Sequence, residues 1–136
     1  MSYLLDTNVC IALINGKSDQ VRRHYAQATR RNAELFTSPI VAHELWYGVA
    51  KSDRIPQNAN RLVTFLGRDV VLLGYTNQDA QAAGNIRAEL ERQGMRIGEY
   101  DTLIAGQAFA RNLILVTANT SEFARVKGLA VEDWTV

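Results

Sequence analysis

Three carboxylates lie in stretches of this sequence whose pattern predicts burial. Asp6 directly follows the apolar run 3–5. Glu44 lies among apolar residues in 41–49, and Asp101 lies on the apolar face of a helical pattern. Carboxylates are almost never fully buried without a partner. Two of them about 4 Å apart repel by up to ~4 kcal/mol at an effective dielectric near 20, so a basic partner, a raised pKa or a divalent cation must offset the repulsion.

The chemistry that these acids suggest is hydrolysis of phosphodiesters. Carboxylate oxygens suit Mg²⁺ or Mn²⁺, and an acidic pocket holding such an ion activates water and neutralises phosphate charge. Each acid also has a structural interpretation, since Asp6 can cap a helix, Glu44 can pair with a buried arginine and Asp101 can complement a helix dipole. Because all three adjoin the end of a predicted strand, their coincidence favours a catalytic, metal-binding site.

Short apolar runs that alternate with longer helical patterns must position these acids. Ser38-Pro39 is typical of a helix start, and Thr76 with Asp79 resembles a capping box. The patterns predict strands at 3–5, 35–37, 70–73, 113–117 and 131–134, and helices at 7–14, 19–31, 39–51, 55–66, 77–93 and 99–111. Strands separated by helices predict an α/β fold with a central parallel sheet between helical layers. Ligands bind beyond the carboxyl ends of such strands.

Length and composition limit the other possibilities. The 136 residues predict a single domain spanning 1–136, and a net charge of +1 argues against a globally basic nucleic-acid binder. The longest apolar run, Val9 to Ile14, is too short to span a membrane. No secretion signal is evident, and the lone Cys10 cannot form an internal disulfide, so a cytoplasmic location is expected.

Several segments, taken in order, resemble PIN-domain proteins and, more narrowly, VapC toxins of type II toxin–antitoxin systems. The matching segments are 1–14 with Leu5-Asp6-Thr7-Asn8, 38–52 with Glu44-Leu45 and Gly48, 97–105 with Tyr100-Asp101, 115–123, and 132–134. The resemblance implies a three-layer α/β/α domain. It also implies a Mg²⁺- or Mn²⁺-dependent endoribonuclease that arrests translation, with Asp6, Glu44 and Asp101 as its metal-binding catalytic acids.

The same resemblance implies partners and a substrate. A VapB-type antitoxin would neutralise the protein, with Trp46 or Tyr47 as candidate anchors if these rings are not core residues. A homodimer is also implied. The ending 119–134 is most similar to VapC toxins of enteric bacteria that cut initiator tRNA in the anticodon loop, so tRNA is the implied RNA substrate.

The sequence departs from the family pattern at the position of the usual fourth acid, which is Asn119 here. An amide can ligate a metal or orient water but brings no charge, and Glu122, one turn later, is the candidate replacement. We therefore include Asn119 and Glu122 among the candidate catalytic residues. Glu99 stands where related toxins often have proline, and we expect it to be a solvated acid.

Two other functions remain open at this point. A phosphatase with an aspartyl-phosphate intermediate usually carries Asp-x-Asp, whereas Asn8 occupies the second position here. A non-catalytic or weakly active PIN-like binding module is suggested by Asn119. The arginines at 22, 23, 30 and 31 fall roughly on one helix face, which either binds the RNA backbone or is simply solvated. His24 and His43 are expected on the surface or in packing contacts, and Cys10 in the core.

Overall fold

A parallel five-stranded sheet organises the chain, and its central strand ends next to Asp6. The computed structural model describes residues 1–136. The strands are β1 (Ser2–Leu5), β2 (Glu34–Thr37), β3 (Val71–Leu72), β4 (Ile114–Val116) and β5 (Val131–Glu132), in the order β3-β2-β1-β4-β5. β1 pairs with both β2 and β4, and Leu5 lies opposite Val116. The predicted α/β class and parallel sheet are confirmed.

Helices connect all the strands, and most begin and end where the sequence predicts. They are α1 (Thr7–Asn15), α2 (Asp19–Arg30), α3 (Pro39–Ala50), α4 (Ile55–Thr64), α5 (Asn77–Arg92), α6 (Glu99–Ala110) and the short α7 (Thr120–Phe123). Ser38 caps α3, and both hydrogen bonds of the capping box at the start of α5 are present. Gly94, with φ of 67°, follows α5 in the left-handed conformation that glycine adopts most easily. None of the helices is long and apolar enough to cross a membrane.

Most boundaries agree with the prediction to within one residue, but the end of α4, the strand β3 and the end of β5 show differences with a structural cause. The chain continues beyond α4 as a π-helical segment, Phe65–Asp69, so the predicted strand at 70–73 shortens to the exposed pair of β3. The last strand also ends early, at Glu132, because Trp134 turns into the core. Its ring lies 5.3 Å from Tyr3 and 5.7 Å from His24, centroid to centroid, and its indole donates to Glu132.

Strand order and connection handedness together place the helices in two layers. Crossovers between parallel strands are right-handed in nearly all proteins. Because the chain moves one way from β1 to β3 and the opposite way from β3 to β5, α1–α4 and α5–α7 belong on opposite faces of the sheet. The two directions of chain progress diverge between the neighbouring strands β1 and β4. Both strands are buried, through Leu4, Leu5, Leu115 and Val116 among others. This divergence is the point where ligands bind in open α/β sheets.

The contact between α5 and α6 is unusually close. A Cβ atom on Gly106 would lie 2.5 Å from the Cβ of Ala83 and 2.6 Å from its backbone nitrogen. At the ends of the same two helices, the fully buried Asp79 accepts hydrogen bonds from Arg111 at 3.0 and 3.2 Å. Asp79 was predicted only as a capping residue. In the structure its carboxylate also ties α5 to the C-terminal end of α6.

Gly106→Ala should therefore destabilise the protein by about 1–3 kcal/mol, the usual cost of overpacking a tight contact. Gly84→Ala is the matched control, because Gly84 lies next to Ala83 in the facing helix α5 but has open space where its Cβ would be. It should be neutral or stabilising by up to about 1 kcal/mol, since alanine favours helix. Urea unfolding of both variants measures the difference, and equal stabilities would contradict the close contact.

Candidate active site at the carboxyl edge of the sheet

Asp6 is fixed between the ends of the two central strands. Its backbone nitrogen donates to the carbonyl of Val116 at 3.0 Å, which continues the pairing of β1 with β4. One carboxylate oxygen accepts from the backbone nitrogen of Thr7 and the other from the hydroxyl of Thr117, each at 2.8 Å. Asp6 is buried, with 8% of its surface exposed. It is the N-cap of α1, as the structural interpretation predicts, and it is also a member of the acidic cluster, so its role as a cap does not conflict with a role in the site.

Glu44 reaches the same place from α3. Its Oε1 atom accepts a hydrogen bond from the Thr7 hydroxyl at 2.7 Å. Thr7 therefore connects two acids, because its backbone nitrogen donates a hydrogen bond to Asp6 and its hydroxyl donates one to Glu44. No arginine forms an ion pair with Glu44, so the interpretation of this residue as half of a buried ion pair is wrong.

Asp101, in the first turn of α6, completes a group of four carboxylates with Glu122. Burial, a hydrogen bond with Glu122 and the negative charges of Asp6, Glu122 and Glu44 raise the pKa of Asp101 to about 7. Asn119 caps the short α7, and its side-chain amide donates to the carboxylate of Glu122. Thus the structure brings together all five residues named from the sequence: Asp6, Glu44, Asp101, Asn119 and Glu122.

The four carboxylates have no cationic partner. Every ion pair in the structure involves other acids, namely Asp19, Asp69, Asp79, Glu89 and Glu91. No three Asp, Glu, His or Cys side chains stand in the geometry of a formed metal site, and the oxygens of Asp6 and Glu44 are instead hydrogen-bonded to threonines. The donors are all oxygen and the local charge is negative, so the residues present fit a hard divalent cation.

The remaining candidates lie outside the cluster. Glu99 and Asn8 are exposed, as are Trp46 and Tyr47, so these two aromatics are not core residues. His24 stacks on Trp134, whereas His43 is exposed beside Tyr100. Burial raises the pKa of the Cys10 thiol to about 12, which makes this cysteine an inert core residue.

Thr117 is the site residue whose role the sequence did not reveal. The sequence marks it only as the end of a buried strand. In the structure its hydroxyl donates to Asp6 and accepts from the backbone nitrogen of Asn119 at 3.0 Å. One side chain thus connects the acid after β1 to the loop that carries Glu122. A hydroxyl residue directly after a buried strand was the available signal.

The chain as a whole is similar to known proteins. Residues 3–129 match the PIN domain family. The chain is 40% identical to a tRNA(fMet)-specific endonuclease VapC of Shigella flexneri, over 99% of both chains. It is 39% identical to Ribonuclease VapC2 of Rickettsia felis, over 98% of both chains.

Solved structures agree with these sequence matches. The crystal structure of VapBC2 from Rickettsia felis bound to a promoter DNA fragment superposes with a TM-score of 0.91 at 38% identity, over 98% of this chain and 99% of that chain. DNA-bound VapBC from Salmonella typhimurium gives 0.89 at 39% identity, over 98% of each chain.

The raised pKa of Asp101 predicts a pH-dependent stability of the metal-free protein. An aspartate titrates near 3.9 in an unfolded chain, so the folded state binds the extra proton between about pH 4 and pH 7. The contribution of Asp101 to the free energy of unfolding is therefore present below this window and is lost as pH rises through about 7. Asp101→Asn should gain stability relative to the parent across the window, whereas Asp53→Asn, in an exposed turn, should not. Denaturant titrations in EDTA at pH 5 and 8 measure this, and an equal Asp101→Asn difference at both pH values would contradict it.

Proposed function

Because the chain belongs to the PIN-domain family, and within it to the VapC ribonucleases, we propose that it is the toxin of a VapBC-type toxin–antitoxin system. It hydrolyses RNA phosphodiester bonds and so inhibits translation. The observation that carries this proposal is the group of four carboxylates, Asp6, Glu44, Asp101 and Glu122, gathered without a cation where β1 and β4 end. Such a group is costly for stability alone and suits a metal-assisted reaction at phosphate.

Initiator tRNA, cut in the anticodon loop, is the proposed substrate. Relatives from Shigella flexneri and Salmonella typhimurium, each 40% identical to this chain, carry the name tRNA(fMet)-specific endonuclease. Unpaired loops are also the parts of a folded RNA whose backbone and bases are most accessible to a protein site.

Mg²⁺ or Mn²⁺ is the proposed cofactor, held by Asp6, Glu44 and Asp101. When bound, the ion supplies a water of lowered pKa and neutralises charge on the phosphate. The oxygen-only donor set and the absence of a competing arginine or lysine at the four acids support this assignment.

The protein side chains fix the acids and move a proton. Thr7 and Thr117 hold Asp6, and the Thr7 hydroxyl also holds Glu44. One of these acids accepts a proton from the attacking water. Neither histidine belongs to the acidic cluster, so a route that activates the RNA 2′-hydroxyl has no histidine base. One-step hydrolysis is therefore favoured.

Two features weigh against the alternative functions. The phosphatase alternative requires a second aspartate where Asn8 stands, and Asn8 is exposed with no side-chain hydrogen bond to the acids. The non-catalytic alternative rests on the neutral Asn119, yet the Asn119 amide donates a hydrogen bond to Glu122, which supplies a fourth carboxyl group beside Asp101.

A VapB-type antitoxin is the proposed partner, and a groove beside Glu44 is its proposed binding place. The groove, of about 220 Å³, runs between α1, α3 and α4. Its lining includes the apolar Ile11, Ile14, Leu45 and Val49, and also Glu44 and Arg61. A cationic residue of the antitoxin could pair with Glu44 there. The solved structures most like this chain include VapBC complexes. We also propose a homodimer, on family resemblance.

The decisive experiment sequences RNA ends after brief expression of the parent protein and of Asp6→Ala. The parent should cut initiator tRNA in the anticodon loop, and Asp6→Ala should lower cleavage by at least ~100-fold, as is typical when a group essential to the reaction is removed. Purified, antitoxin-free protein should lose activity in EDTA and regain it with Mg²⁺ or Mn²⁺. Asp53→Ala, which removes an exposed acid, should remain fully active. Undiminished cleavage in excess chelator would contradict metal dependence.

The negative charge at position 122 should determine the Mg²⁺ concentration that cleavage requires. We expect Glu122→Gln to raise the Mg²⁺ concentration for half-maximal cleavage several-fold, because one of four neighbouring charges is lost. Asn119→Asp should lower that concentration and partly rescue Glu122→Gln. Metal titrations of the two single variants and the double variant measure this. An unchanged requirement in Glu122→Gln would leave a three-acid site in which Asn119 is a neutral neighbour.

A further inference from the structure

An exposed pair of aromatic rings bridges the two helices that carry Glu44 and Asp101. His43 precedes Glu44 in α3, and Tyr100 precedes Asp101 in α6. The two rings meet edge to face, with centroids 5.5 Å apart and planes at 77°. The Nε2 atom of His43 lies 3.2 Å from the phenolic oxygen of Tyr100. The rings meet between α3 and α6, and the same two helices bring Glu44 and Asp101 together, so the pair forms a rim beside the acidic site.

This pair is not explained by core packing. Tyr100 exposes 47% of its surface, and His43 is also exposed. A large aromatic ring left in water beside a reactive site is available to a ligand. The hydrogen bond between the two side chains limits the rotamers that the Tyr100 side chain adopts, so part of the entropy lost on binding is already lost in the free protein.

The chemistry around the pair indicates which part of an RNA it contacts. No arginine or lysine forms an ion pair with the four acids, so no cationic side chain is fixed on them to bind a backbone phosphate. A tyrosine ring offers a flat apolar surface instead. Unpaired bases of RNA loops are splayed out and stack on such rings, and stacking tolerates any base.

We propose that Tyr100 stacks on a nucleobase adjacent to the scissile phosphate and that His43 is a positioning residue for the Tyr100 ring. This inference rests on the proposed RNA cleavage and adds a binding contact for single-stranded RNA. Stacking anchors the base while the carboxylates act on the neighbouring phosphodiester.

Steady-state cleavage of an anticodon stem-loop RNA tests the role of the ring. Loss of one base–aromatic stack should raise KM roughly 5- to 150-fold in Tyr100→Ala, with kcat much less affected. Tyr100→Leu, which keeps apolar volume, should show the same rise. Tyr100→Phe keeps the ring but loses the hydrogen bond to His43, so it should raise KM no more than His43→Ala does. His43→Ala should raise KM less than Tyr100→Ala. Phe109→Ala is the matched control, because Phe109 lies in the same helix with 49% exposure and should leave KM unchanged.

A second readout does not depend on cleavage. RNAs carrying 2-aminopurine at successive loop positions are bound to the Asp6→Asn variant, which should not cleave them. One position should show fluorescence quenching, and adding Tyr100→Ala to this variant should remove it. Parental KM and quenching in Tyr100→Ala would overturn the inference. The inference would also be overturned if Tyr100→Ala only lowered the melting temperature, or only weakened antitoxin binding, with KM and quenching unchanged. If the parent cleaves no RNA, the proposed function fails, whereas the quenching measurement still decides whether Tyr100 stacks on a base.

Discussion

Mutual repulsion among four carboxylates at one edge of the sheet is the constraint that organises this molecule around its site. Asp6, Glu44, Asp101 and Glu122 come from four different parts of the chain, and the raised pKa of Asp101 records their proximity. Hydrogen bonds from Thr7, Thr117 and Asn119 hold three of these acids. Each of these donors lies in or beside a regular element, so the positions of the acids depend directly on the pairing of β1 with β4 and on the packing of α3 and α6.

A fifth acid shows what a purely structural carboxylate looks like in the same fold. Asp79 is fully buried, but Arg111 compensates its charge through two hydrogen bonds. The backbone nitrogen of Thr76, at the start of α5, donates a further hydrogen bond to the same carboxylate. Breaking such a pair is costly, because it leaves one charge buried and alone. The acids at the sheet edge have no such partner. The contrast between compensated and uncompensated acids separates the carboxylate that stabilises the fold from the acids proposed to serve the reaction.

The two helices that deliver Glu44 and Asp101 also deliver the aromatic rim. In each helix the residue before the acid is a ring that faces solvent, and the two rings contact each other. One turn of α3 and one turn of α6 therefore supply both two carboxylates of the site and an aromatic surface beside them. This arrangement suits a ligand that combines phosphate with flat bases.

The sequence alone determined the order of elements, because apolar periodicity, the caps at Ser38 and Thr76, and the glycine after α5 are local signals. It also identified Asp6, Glu44 and Asp101, since a carboxylate in an apolar pattern is visible without a structure. Only the tertiary structure showed that Thr117 holds Asp6, that Arg111 compensates Asp79, and that His43 meets Tyr100. Each of these contacts joins residues at least 32 positions apart. Strand register and helix packing, which determine them, depend on the whole core at once and leave no pattern in a short stretch of sequence.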